Sequence, residues 1–252
     1  MTGGLTHDAF LGGRLTIAQP ADGFRAGVDA VLLAAATPAK AGDHVLELGC
    51  GVGTALLCLG VRVPDLDITG LELQPDYAEL ARANVASNGA QAEIVTGNLS
   101  EMPVALRNRS FDHVLANPPY YRPGVGHASV DKGRDTALRG ETDLAVWVDV
   151  ATRRLRPRGC LTIIQRVDRL PDLLRACDAR LGAITVRAFT PQQDRNAHLV
   201  IVQATKGARA PFRMAAPIVM HTDETCGSGR KEFTPDLSAI LRDGAPLPPL
   251  RG

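Results

Sequence analysis

A strand-like run, Asp43-His44-Val45-Leu46-Glu47-Leu48, passes directly into Gly49-Cys50-Gly51-Val52-Gly53, and the apolar stretch Thr54-Ala55-Leu56-Leu57-Cys58-Leu59 then reads as a helix. Strand, glycine-rich turn and helix in that order imply a parallel sheet whose strands are joined by helices. Glycines in such a turn let a ligand approach the backbone, and the helix N-terminus offers free N–H donors. The dinucleotide fingerprint needs a third glycine one place beyond Gly53, where this chain has Thr54, so the spacing departs from that of NAD sites.

The alternation continues. Leu66 to Leu71 reads as the next strand and Glu72 ends it, about where an acid meets a ribose diol, so adenosine without a pyrophosphate fits the turn best. Pro75 to Val85 has the proline and acids of a helix start, and Asn88-Gly89 ends it. Ala92 to Gly97 is a third strand, Phe111 to Ala116 a fourth and Cys160 to Gln165 a fifth. Between the last two, Glu141 to Leu155 is an amphipathic helix stopped by Pro157 and Gly159. After a helix over Leu170 to Leu181, Ile184 to Phe189 and Ala197 to Ala204 follow without a helix between them, which implies an antiparallel pair closing one sheet edge. Toward the C-terminus, Met214 to Met220 reads as an edge strand because of Pro217, Glu224 to Lys231 as a mobile loop and Leu237 to Leu241 as a short helix. The proline-rich end is expected to fray.

Asn117-Pro118-Pro119-Tyr120 follows the fourth strand at once. An asparagine C=O and the next backbone C=O, on a segment stiffened by two prolines, can both accept hydrogen bonds from one planar NH2 group. The Tyr120 ring can stack on the plane that carries it. Taken alone the tetrapeptide also reads as a turn, since Asn-Pro initiates turns. Its place after the glycine turn and Glu72 favours the chemical reading.

Composition bounds the rest. The chain has 252 residues, 45% of them hydrophobic, enough for one α/β domain with a sizeable core. A formal net charge of +1 gives no global attraction to nucleic acid, so an RNA surface must be a local patch. Five scattered cysteines, Cys50, Cys58, Cys160, Cys177 and Cys226, form no metal-ligand grouping with the six histidines and read as reduced thiols of a cytoplasmic protein. No segment has the pattern of a leader, and no apolar run reaches the roughly 20 residues of a membrane span.

Glu47 to Gly53, Glu72 and Asn117 to Tyr120 at these spacings resemble the class I S-adenosylmethionine (SAM) methyltransferases that act on amino nitrogens. The N-terminal segment, Arg14 to Ile17 and then Gln19 to Leu33, looks like that of the bacterial valine-tRNA adenine-N6 methyltransferases, which modify an adenine beside the anticodon. The resemblance runs over roughly Asp8 to Lys206. It implies a Rossmann-like fold: a mostly parallel seven-stranded sheet with an antiparallel last strand and helices on both faces. One domain is expected, with residues 1–40 as an N-terminal segment, 41–205 as the SAM-binding core and 206–252 as an extension.

By position, the resemblance implies a cofactor site of Glu47, Gly49, Gly51, Gly53, Glu72, Leu73, Asn98, Leu99 and Asn117. Where many relatives carry Asp, Asn98 must turn its single C=O to the adenine amine of SAM. Arg25, Gly27 and Asp29 are candidates for closing over the SAM carboxylate, although Gly27 and Asp29 equally read as caps of a helix starting at Ala30. Asn117 and Pro118, with Pro119 and Tyr120, would hold the substrate amine, and no metal is needed. Arg122, Lys132, Arg134 and Arg139, in a glycine-containing loop, and Lys206, Arg209 and Arg213 beyond the last core strand are candidate RNA phosphate contacts or else solvated surface. Arg153 to Arg158 fits a helix C-terminus equally well. Trp147 reads as core. A protein-glutamine N5-methyltransferase shares the Asn-Pro-Pro-Tyr motif but has a helical substrate domain that some 40 residues before the core do not supply. A SAM- or RNA-binding module without catalysis would need a damaged motif, and none is seen.

Overall fold

Val45, Leu46 and Leu48 are buried on β3 (His44–Leu48) in the computed structural model of the chain, which describes residues 4–120, 143–225 and 231–248. A strand so apolar on both faces belongs at the centre of a sheet covered on both sides. β4 (Asp67–Glu72) and β6 (Phe111–Ala116) flank it in parallel, with β5 (Glu93–Thr96) beyond β4 and β7 (Leu155–Arg166) beyond β6. β9 (Leu199–Lys206) lies antiparallel to β7, and β8 (Leu181–Thr190) lies outside it, antiparallel to β9. The expected antiparallel pair is therefore present, but its second member is inserted between β8 and β7. Beyond β8 come two two-residue strands, β10 (Arg213–Met214) and β11 (Ile218–Val219). Among the described residues the sheet thus has nine strands, seven principal ones and two short edge pieces separated around Pro217, whose missing N–H suits an edge.

Alternation along the strands divides the core in two. Val45, Leu115, Ile164 and Ile201 face α1 (Val28–Ala36), α2 (Thr54–Arg62), α3 (Pro75–Ser87) and α7 (Pro235–Asp243). Leu46, Leu48, Val114, Ala116 and Ile163 face α5 (Leu144–Arg154) and α6 (Leu170–Ala176), while the short α4 (Val104–Arg107) adds Leu106. The helix stopped by Pro157 ends at Arg154, and the chain is extended from Leu155, as the conformation imposed before a proline favours.

The N-terminal segment holds one strand more than expected. β1 (Leu5–Phe10) and β2 (Leu15–Pro20) form an antiparallel hairpin through Leu11, Gly12 and Gly13, all at positive φ. Two asparagines one turn apart, Asn84 on α3 and Asn88 at its C-terminal cap, grip β2 as a neighbouring strand would. Asn88 exchanges bonds with the Thr16 backbone at 3.0 and 2.9 Å, and Asn84 with that of Ala18 at 2.8 and 3.0 Å. Asn84 Nδ2 also donates to Val52 O at 3.0 Å, so one buried side chain binds hairpin and glycine turn together.

At the C-terminus, β12 (His221–Thr225) pairs with β13 (Lys231–Phe233), and α7 is longer than expected, capped by the Thr234 side chain and ended by Gly244 at φ 65°. The expected fraying does not extend to Pro248: Leu247 N–H bonds Ala35 O at 3.0 Å, and Arg187 donates to Pro248 O. The middle of the expected loop between Glu224 and Lys231 lies outside the described residues. Among those described, no helix is long and apolar enough to cross a membrane.

Asn84→Ala leaves three backbone groups without their partner and is expected to lower stability by about 2–4 kcal/mol, against about 1 kcal/mol or less for Asn88→Ala at the exposed end of the same grip. Urea unfolding of the two variants checks the order.

Candidate active site

The sheet order reverses direction at β3, so the crevice for a ligand lies at the carboxyl ends of β3 and β6. The glycine turn leaves β3 there, and Asn117 to Tyr120 leave β6 beside it.

Gly49, Gly51 and Gly53 all adopt positive φ, at 68°, 55° and 87°. A Cβ at Gly49 would come within 2.7 Å of the Trp147 ring, so the turn is pressed onto α5 from behind. At Gly51 a Cβ would meet nothing within 4 Å, which leaves that backbone open to a ligand. Cys50 points inward, where a side chain on Gly70 would collide with its sulfur at 2.7 Å, and burial pushes its thiol pKa well up. Both Trp147 and Cys50 are thus packing residues.

Two carboxylates fix the turn. Glu47, 3% exposed, accepts from Leu56 N–H at 3.0 Å in the first turn of α2, and burial raises its pKa well above the usual carboxylate range. It supports the turn from beneath. Glu72 accepts from Gly51 N–H at 2.8 Å and from Gln74 N–H at 2.9 Å, and burial raises its pKa as well. Two of about four acceptor positions are used, so two remain for the hydroxyls of a ribose. Beside it Leu73 is 52% exposed, a large apolar side chain placed to cover a flat ring. Asn98 Oδ1 accepts from Ser100 N–H at 2.9 Å and caps the turn that begins at buried Leu99, with a second lone pair left on that oxygen.

On the other side of the crevice, Asn117 Oδ1 is buried and has no hydrogen-bond partner. The Tyr120 hydroxyl, on the same motif, donates to Asp29. Burial, then the Asp29 charge, pushes the Tyr120 pKa far up; burial likewise raises that of Asp29, with the Tyr120 bond opposing it. Asp29 is therefore not the helix cap. α1 starts two residues earlier, at Val28, with Gly27 in the cap position, and the Asp29 side chain reaches the motif. Arg25 pairs with Asp8 at 2.7 Å, an acid that also accepts from Gln19.

The basic candidates separate by position. Arg122, Lys132, Arg134 and Arg139 lie outside the described residues. Lys206 Nζ donates to Leu155 O at 2.6 Å, at the amino end of β7, and Arg209 follows at that same rim, opposite the crevice. Arg213 sits on β10, four strands from β6. Charge along a sequence does not tell which rim a strand end reaches. Arg154 donates to the carbonyls of Leu106 and Arg107, and Arg156 pairs with Asp112 at 2.6 Å, so those cations brace local structure. Two residues not anticipated border the motif: Arg166, whose charge acts on Tyr120, and Gln165, which donates to Pro118 O at 3.2 Å. A polar residue closing the apolar run Leu161 to Ile164 was the available signal.

Among the described residues no group of three or more His, Cys, Asp or Glu could hold a metal. The free Asn117 oxygen, the open Gly51 backbone, the spare acceptors of Glu72 and exposed Leu73 together fit SAM with a planar amine beside it.

The model of the methyltransferase small domain matches residues 25–177. A protein of Porphyromonas gingivalis named tRNA1(Val) (adenine(37)-N6)-methyltransferase is 36% identical over 189 residues, 71% of each chain. One of Yersinia enterocolitica with the same name is 34% identical over 138 residues, 54% of this chain and 52% of that protein. Among solved structures, a predicted O-methyltransferase from Agrobacterium tumefaciens superposes with a TM-score of 0.71 at 24% identity, covering 87% of this chain and 98% of that one. A methyltransferase from Pyrococcus furiosus gives 0.55 at 16%, covering 77% and 90%. These structures bear on the fold alone. The chain belongs to the methyltransferase small domain family, within the group of tRNA1(Val) (adenine(37)-N6)-methyltransferases, as a class I enzyme whose fold and family imply SAM.

Proposed function

We infer that the protein transfers a methyl group from SAM to the exocyclic N6 of an adenine in tRNA, the adenine beside the anticodon of a valine tRNA, and works in the cytoplasm. The buried, unpartnered Oδ1 of Asn117 carries this reading, because a buried acceptor left unpaired is costly unless a ligand supplies the donor. The relatives' names supply the nucleic acid. The relatives' names favour tRNA over the glutamine-N5 alternative, and the described residues before α1 hold the β1–β2 hairpin.

Glu72, Leu73, Leu99 and the backbone of Gly49 to Gly53 would hold SAM. Bound there, it supplies an electrophilic methyl on its sulfonium, open to the amine lone pair in one displacement. Asn117 Oδ1 and Pro118 O accept the two N–H groups and so draw the nitrogen out of conjugation with the ring, freeing its lone pair. Tyr120, held by Asp29, stacks on the base and sets its plane. No side chain is needed as base, since the proton is lost to water once the nitrogen carries the positive charge. The work of the site is placement. Arg122, Lys132, Arg134 and Arg139, following Tyr120 in sequence, are the proposed phosphate contacts.

Labelled methyl groups should enter tRNA from cells lacking this protein, and nucleoside analysis should find N6-methyladenosine beside the anticodon. Label only in protein would overturn the assignment. Asn117→Ala should lower turnover by about a thousandfold while SAM affinity stays within about threefold. Asp29→Asn and Tyr120→Phe act on one bond, so each should raise the KM for tRNA about threefold to tenfold and the double variant no more than either. Additive effects, or a large loss of SAM affinity in Asp29→Asn, would place Asp29 in the cofactor site.

A further inference from the structure

Prolines fix φ at residues 118 and 119, and Pro119 confines ψ at Pro118, the torsion that aims its carbonyl, to the extended range of roughly 120 to 160°, within which that oxygen can still swing by some tens of degrees. Something else must hold that oxygen in direction. Gln165, next to last on β7, is 0% exposed, and its Nε2 donates to Pro118 O at 3.2 Å. Its other end is pinned as well, Oε1 accepting from Arg166 N–H at 2.8 Å. The amide turned over would set donor against donor and oxygen against oxygen, so its partners fix its orientation. A carbonyl has two lone pairs, and this bond occupies one of them.

We propose that Gln165 is a positioning residue for methyl transfer, which by holding ψ of Pro118 aims the remaining lone pair of that carbonyl at the substrate amine. The inference rests on the amino-transfer reading above. It sets Gln165 apart from a packing residue in a way that can be measured. Gln165→Leu keeps much of the volume and removes the donor. Gln165→Glu keeps the shape: ionised, it faces Pro118 O with a second oxygen and repels it, whereas the neutral acid donates O–H to Pro118 O and accepts from Arg166 N–H as the amide does. Burial raises the pKa of such a carboxyl, so its protonation falls within an accessible pH range.

The experiment measures kcat and KM for methyl transfer to unmodified tRNA, SAM affinity by titration and melting temperature, for parent and both variants across pH. Gln165→Leu should lose kcat by about tenfold to a hundredfold with SAM affinity unchanged. The rate of Gln165→Glu relative to the parent should rise as pH falls, because protonation restores the donor. Unchanged kcat in Gln165→Leu, kcat and SAM affinity falling together, or a flat rate ratio for Gln165→Glu would overturn the proposal. Should Gln165→Leu fail to fold, the pH dependence of Gln165→Glu decides alone. A parent that methylates no tRNA overturns the amino-transfer reading and this inference with it, whereas an active parent with indifferent variants overturns this inference only.

Discussion

The carboxylate of Glu72, shared between the N–H groups of Gly51 and Gln74, is the interaction on which the crevice depends. A glycine turn at positive φ has little of its own to keep it in shape, since glycine loses more freedom on folding than any other residue. Glu72 anchors it to the end of β4, Glu47 anchors the helix that follows, and Asn84 ties Val52 to α3 and β2. The same carboxylate retains acceptors on its open side. One side chain therefore shapes the turn and presents it to the cofactor, and burying it is tolerable because two backbone donors meet it.

The amine half of the crevice is held from two directions. Asp29 reaches it from α1 through Tyr120, and Gln165 reaches it from β7 through Pro118. Neither contact is local, so the motif acquires its geometry only when the N-terminal segment and the far side of the sheet are both in place. This explains why a short hairpin ahead of α1 matters to chemistry at the end of β6. Asn84 and Asn88 dock the hairpin, and the Asp8–Arg25 pair fixes the loop that leads into α1.

Elements with a local cause were legible in the sequence. β3, β4 and β6 are apolar runs ended by Gly49, Glu72 and Asn117, and each lies within a residue or two of its expected place. β1 was not seen, because Leu5 to Phe10 shows no clean alternation and finds its partner through a left-handed turn at Leu11 that its sequence does not announce. Position in space was harder to read than element type. Asp29 offered two uses, cap or cofactor ligand, and took a third with a residue 91 positions away. Lys206 looked available for phosphate and is engaged by a carbonyl at the opposite rim. The tail before Pro249 read as frayed because its partners, Ala35 and Arg187, belong to other elements.

Equilibrium titration of SAM against Glu72→Gln tests the cofactor half most directly. The amide would set an N–H against one of the two backbone donors and remove the charge from both bonds, so affinity should fall by about tenfold to a hundredfold while the far-ultraviolet spectrum stays that of the parent. Unchanged SAM affinity in that variant would contradict the account.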